Sequence, residues 1–235
     1  MMLLAVTGLV IPTLFEVLKQ MSEPGTPVQV FHTATDDPQL TTISLGVAAV
    51  LLVIYVLSMI HLFSSGGEET RVHPTEENTG THKWNLKTAV GVLTAATIAI
   101  VFMSESLVET VEPVAHSFGV RSLFLGIMLI PLVGNVAENA VAIVAARKNN
   151  VDLTMSIVLG SSMQIALFVA PLLVFLSLLF GQVMTLFFSL FEVMVLGLSV
   201  LLATFISLDG ESNWLEGTRL IALWLITGLG FFFID

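Results

Sequence analysis

An all-α membrane protein of about seven transmembrane helices is the fold class that three features of this chain predict. Hydrophobic residues fill 55% of the 235 positions and charged residues only 11%, a balance too apolar for a solvated globule. The apolar residues gather in runs of about twenty, the length that crosses a hydrocarbon layer of roughly 30 Å at about 1.5 Å of rise per residue. The connections between runs are mostly short, and no stretch remains in which a soluble domain could fold.

The first run, Met1 to Leu18, has neither a basic segment before it nor a small-residue cleavage site after it, so it is expected to be retained as a helix. The second runs from Thr41 to Phe63. After it comes the longest connection, 64–85, with Gly66-Gly67, Pro74 and the acidic pairs Glu68-Glu69 and Glu76-Glu77. It is expected to be an acidic cytoplasmic loop that separates a two-helix segment, 1–63, from a five-helix segment, 86–235. The third run is Leu86 to Val111. The fourth, Leu123 to Ala146, is interrupted by Pro131 and Gly134, which permit a local break that frees backbone carbonyls to line a cavity. The fifth is Leu153 to Phe180, with Pro171 near its far end. The sixth is Met184 to Leu208 and the seventh Gly217 to Ile234.

Lys and Arg near membrane segments collect on the cytoplasmic side. With the N-terminus inside, the inner side holds Arg71, Lys83, Lys87, Arg147, Lys148 and Arg219, against Lys19 and Arg121 outside. That bias predicts N-in and C-out. The net charge of −10 argues against nucleic acid as a partner. Cysteine is absent, which excludes disulfides and thiolate metal sites. The five histidines fall in or near the loops and form no HExxH motif, and no Ser-His-Asp spacing supports an enzyme.

The polar residues within the runs carry the functional signal. Glu138 lies inside the fourth run, and a charged side chain at the centre of a membrane helix costs about 2.5 to 3.5 kcal/mol on insertion scales. It therefore needs a partner, a cation or a proton. Asn135, Glu138 and Asn139 are spaced to share part of one helix face, beside Gly134 and several alanines that allow close helix approach. On the fifth run Gly160, Ser161 and Gln164 repeat the pattern; they could complement a carboxylate or simply bond across packed helices.

GNVAEN, RKNNVDL and GSSMQIALFVAPLLV together resemble the second signature repeat of the calcium/proton exchanger family within the cation/calcium antiporter superfamily. FMSESLVETVE at Phe102 to Glu112, FSLFEV at Phe188 to Val193 and DGESNWLEG at Asp209 to Gly217 extend the resemblance over most of the chain from Trp84 onward. It implies exchange of Ca²⁺ for protons, with no cofactor, through two similar halves of opposite orientation. Helices three to seven would form one such half. The resemblance assigns Glu138 as that half's essential glutamate, places Asn135, Ser161 and Gln164 at or beside the cation site, with Glu138 and Asn135 as ligands, and sets Glu105 on the transport path. Glu105 and Glu109 are one helical turn apart, and either could relay protons or take part in gating, or be an interfacial hydrogen-bonded glutamate. Many family members have a histidine where this chain has Asn139, which cannot titrate near neutral pH.

The same resemblance implies eleven helices and a first signature repeat, of which this chain holds no copy; its first two helices resemble the end of the first half. Ca²⁺ takes about six to eight oxygen ligands, and inverted-repeat transporters complete their sites between halves. The expectation is therefore an antiporter that needs an N-terminal half in cis or trans, or a homo-oligomer; an antiparallel homodimer would need half its copies inserted upside down, which the basic bias opposes. The alternative is a non-transporting membrane subunit or inactive truncated exchanger. The host membrane is expected to be the bacterial plasma membrane.

Overall fold

The computed structural model describes residues 1–22, 38–64, 85–120, 122–181, 183–208 and 213–233. The acidic pairs of the long connection lie outside the described residues. Every regular element among them is helical: α1 (Met2–Ser22), α2 (Pro38–Ser64), α3 (Leu86–Phe118), α4 (Ser122–Phe124), α5 (Ile130–Gly134), α6 (Val136–Arg147), α7 (Val151–Gln164), α8 (Ala170–Leu179), α9 (Leu190–Leu208) and α10 (Trp214–Phe233). A π-helical turn, Leu125–Leu129, joins α4 to α5, and a second, Ile165–Val169, joins α7 to α8. Six helical spans among the described residues are long and apolar enough to cross a membrane, and the broken pair Leu125–Gly134 and Val136–Arg147 makes up to seven. The chain is a multi-pass integral membrane protein.

Most predicted boundaries move by a few residues and two move further. Helix α3 continues past Val111 to Phe118, because Glu105, Glu109 and Glu112 are good helix formers and carry the helix beyond its apolar window, which ends at Leu107. The sixth run is corrected more substantially: residues 183–189 are not helical, and α9 begins at Leu190 rather than Met184. Gly181, at φ +70°, ends α8 in the left-handed conformation that favours glycine. The chain beyond it then finds its hydrogen bonds in side chains. The N–H groups of Met184, Leu186 and Phe188 donate to the hydroxyls of Ser177 (2.9 Å), Ser44 (3.1 Å) and Thr13 (2.9 Å). Non-helical backbone is tolerated in an apolar setting only when protein groups satisfy it, and these three hydroxyls do so at alternate residues.

The chain packs as two compact units. The larger holds α1, α2, α6 from Ala137, α7 to α9 and α10 as far as Thr227. Its core is Ala5, Leu9, Ala48, Leu51, Leu167, Val174 and Leu186, contributed by α1, α2, the second π-turn, α8 and the non-helical segment 183–189. Gly8 lets α2 come close: a Cβ there would sit 2.8 Å from Leu51 Cδ2. Tyr55 stacks on Phe168 at 5.0 Å between centroids. The smaller unit holds α3 to α5 and the end of α10, where Phe124 meets Phe232 edge-on at 5.5 Å.

Candidate cation site

The sequence motifs fall at breaks in helices, and proline chemistry accounts for the first of them. Pro131 has no N–H to give and its ring clashes with the carbonyl four residues back, which lies in the turn Leu125–Leu129. That turn widens, and the Ile130 N–H donates to the Leu125 carbonyl, five residues back. Pro171 stands in the same relation to Ile165–Val169, where the Ala170 N–H donates to Ile165. Such π-turns are uncommon and concentrate at functional sites.

The predicted break is present at Asn135. Its backbone leaves helical geometry, φ −94° and ψ 12°, while its N–H donates to the Pro131 carbonyl at 2.9 Å. The helical pieces on either side bend by 60°. Gly134 is the last residue of α5, and Glu138 lies in the first turn of α6. The free N–H groups of a helix start favour negative charge, so the carboxylate has that partial support. Glu138 and Asn139 are exposed and Asn135 is half-buried.

The RKNN segment forms the turn from α6 to α7. Asn149 adopts φ 58°, which asparagine tolerates, and the Asn150 side chain accepts the Leu153 N–H at 3.1 Å to cap α7. Further along α7, Gly160 and Ser161 are half-buried and Gln164, its last residue, is exposed. The Ser161 hydroxyl donates to the Val158 carbonyl at 3.3 Å. On α3, Glu105 and Glu109 are both exposed.

These residues do not form a closed coordination shell. Beside their shared turn, α6 and α7 approach at Thr154, whose hydroxyl donates to the Asn150 carbonyl at 2.9 Å and lies 3.4 Å from the Ala142 carbonyl. No hydrogen bond among the described residues joins Glu138 to Ser161 or Gln164, and no group of three His, Cys, Asp or Glu among them is placed to hold a metal. Glu138 presents two carboxylate oxygens at an open surface.

Two other acidic residues have structural roles. Ser189 and Glu192 form a capping box at the start of α9: Ser189 N–H donates to Glu192 Oε2 at 2.7 Å and Glu192 N–H to Ser189 Oγ at 3.3 Å. Asn213 and Glu216 do the same for α10, with the Asn213 amide at 2.7 Å from Glu216 Oε1. The FSLFEV and NWLE portions of the motifs are thus helix starts.

The motifs pass over three buried polar residues, Thr13, Ser44 and Glu16, which are 0%, 0% and 6% exposed. For Glu16 a signal exists in the sequence. It is an ionisable residue inside the first apolar run, the same criterion that singles out Glu138. Thr13 and Ser44 give none, since isolated hydroxyls in apolar helices ordinarily bond within their own turn.

The sequence pattern of the family described as sodium/calcium exchanger protein matches residues 88–233. The chain is 37% identical over 222 residues to a Ca²⁺/H⁺ antiporter of Aphanothece halophytica, an alignment covering 88% of this chain and 60% of the relative. It is 39% identical over 209 residues to the Ca²⁺/H⁺ antiporter ChaA of Bacillus subtilis, covering 88% and 59%. A solved structure of the selenium-substituted Ca²⁺/H⁺ antiporter protein YfkE superposes with a TM-score of 0.72 at 33% identity, covering 98% of this chain and 61% of that one. The chain therefore spans about 60% of the length of the relatives it matches. The GNVAEN helix, broken at Asn135, lies within the matched region, and the fold agrees over nearly the whole chain. This chain belongs to the sodium/calcium exchanger protein family, in its calcium/proton exchanger group within the cation/calcium antiporter superfamily.

Proposed function

We propose that this chain is the C-terminal part of a calcium/proton antiporter in which Ca²⁺ and H⁺ compete for Glu138. The observation that carries the reading is the placement of Glu138: an intramembrane carboxylate in the first turn after a helix break, within the region that matches the family. The names of the relatives, which are antiporters, support it. In this mechanism deprotonated Glu138 takes Ca²⁺ from one side, with Asn135 contributing a carbonyl oxygen. A proton from the other side then displaces the cation, and exclusive occupancy couples the two fluxes. Ser161 and Gln164 support the site, Glu105 lies on the path to it, and Glu109 gates or relays protons. Gly134 and Gly160 permit the backbone to approach the ion, and Asn139 holds a hydrogen bond where a histidine would titrate.

Two oxygens from Glu138 and one from Asn135 fall well short of the roughly six to eight that Ca²⁺ takes. Residues 86–235 therefore act as one half of an inverted-repeat site, with a first half supplying the second carboxylate across the bilayer midplane. Residues 1–63 close that first half, and 64–85 form the cytoplasmic connection. The membrane is the bacterial plasma membrane, with the N-terminus in the cytoplasm and lipid against the outer apolar faces.

The test is proton-gradient-driven Ca²⁺ uptake into vesicles, with the chain alone and with the first repeat of the Bacillus subtilis relative co-expressed. Uptake is expected with the companion only, and Glu138→Gln should abolish it. Uptake by the chain alone would overturn the two-half requirement. Equal uptake by Glu138→Gln in the presence of the companion would refute the role of Glu138, and no uptake in correctly inserted complex would favour a non-transporting subunit.

A further inference from the structure

The turn Ile165–Val169 is held from outside its own span. Pro171 widens it, so that the Ala170 N–H donates to the Ile165 carbonyl. A π-turn is the point in a long helix where the pieces on either side can kink or rotate against each other, and this one divides the span Val151–Leu179. Gln164 is the last residue of α7, directly before the turn. The rotational setting of the turn therefore decides where the Gln164 side chain points relative to α8.

Two neighbouring side chains fix that setting. Leu167 is 2% exposed and belongs to the core with Ala5, Leu9, Ala48 and Leu51. Phe168 stacks on Tyr55 of α2, with ring centroids 5.0 Å apart and planes inclined by 26°. Consecutive residues of a helix project about 100° apart, so either contact alone leaves the turn a pivot and the two together remove it. Leu51 and Tyr55 are four residues apart and share one face of α2, which packs against both the turn and α8. Tyr55 is half-buried at the edge of the core, so its loss spares the buried cluster that Leu167 joins. Stacked rings also prefer a particular geometry, which an aliphatic contact does not impose.

We propose that Tyr55 is a positioning residue of the cation site: its stack on Phe168 fixes the rotational setting of the turn Ile165–Val169 and so holds Gln164 in its place beside the ion. Pro171 makes the turn wide; Tyr55 stops it from pivoting. A side chain of segment 1–63 thereby sets the geometry of a polar group in segment 86–235. The consequence for transport rests on the antiport reading, in which Gln164 supports the site, whereas the hold on the turn does not.

The experiment compares Tyr55→Leu, which removes the ring, with Tyr55→Phe, which keeps it. Hydrogen exchange of the full chain in lipid needs no transport. The Val169 and Ala170 amides should exchange about two- to tenfold faster in Tyr55→Leu, as loss of an aromatic pair implies. Amides of α9 should be unchanged, and Tyr55→Phe should match wild type. Unaltered exchange in Tyr55→Leu overturns the proposal, as does Tyr55→Phe behaving like Tyr55→Leu. Ca²⁺ uptake with the companion first repeat supplies the second reading. Tyr55→Leu should raise the half-saturating Ca²⁺ concentration about tenfold at an unchanged maximal rate, and Tyr55→Phe should restore it. A lower maximal rate at unchanged half-saturation is what a smaller folded fraction gives, and it overturns the positioning role. Should Tyr55→Leu not fold, Phe168→Leu removes the other ring and carries both comparisons. No uptake by the wild-type complex would count against the antiport reading, and the exchange comparison still decides whether Tyr55 holds the turn.

Discussion

Thr13 and Ser44 hold together parts of the chain more than a hundred residues apart, each with one hydroxyl. Leu186 N–H reaches Ser44 across 142 residues of sequence and Phe188 N–H reaches Thr13 across 175. Both acceptors are completely buried, so their loss leaves an amide in an apolar region with no replacement. An orphaned buried donor costs about 1 to 3 kcal/mol. Thr13→Val, which keeps the shape and removes the acceptor, should therefore destabilise the protein by that amount, and Thr13→Ser should restore most of it. Thermal unfolding in a mild detergent reads both. Equal stability of Thr13→Val and wild type would mean that the Phe188 N–H finds another partner. Asn135 and Glu138 are legible at this scale because they break the apolar pattern. Glu16 breaks it equally, but it stands close to the end of its run, where a charge ordinarily belongs to the interface.

At the level of elements, the two π-turns and the two capping boxes explain most of the motif residues. Each π-turn ends two residues before a proline, Pro131 or Pro171, and each adjoins a polar cluster of the proposed site. A single residue of extra winding rotates the succeeding helix by about 100° about its axis. Pro171→Ala supplies the missing N–H and removes the ring clash, so the turn Ile165–Val169 should revert to α-helix. The expected result is a hydrogen-exchange-protected amide at position 171 and lost uptake without lost thermal stability, because Gln164 would turn relative to α8. An unprotected amide would show that neighbouring packing, not proline, maintains the turn. The segment 184–189 reads as helix in the sequence because its apolar composition suits a membrane run. Nothing in that composition announces that its backbone partners lie on α1, α2 and α8.

For the molecule as a whole, orientation is the property most directly predicted by sequence. The six-to-two distribution of basic residues predicts that the α6–α7 turn, with Arg147 and Lys148, faces the cytoplasm and that Met21 at the end of α1 faces the outside. The absence of cysteine allows single reporters to be placed without background. A cysteine at Asn149 should be labelled by a membrane-impermeant thiol reagent only in inside-out vesicles, and one at Met21 only in right-side-out vesicles. The opposite pattern would invert the predicted orientation.

Composition and run length alone determined that this chain is an all-helical membrane protein, because the bilayer admits few other solutions for so apolar a sequence. The motif GNVAEN located the carboxylate of the proposed site, since an acidic side chain in that setting must be compensated. Tertiary structure decided what local pattern could not: that residues 183–189 leave the helix and bond to α1 and α2, that Thr13 and Ser44 are their hydrogen-bond acceptors, and that the carboxylate of Glu16 is buried with one oxygen unpartnered. Each of these depends on which distant segment packs against which face, and a buried amide or carboxylate is satisfied by whatever group arrives there in space.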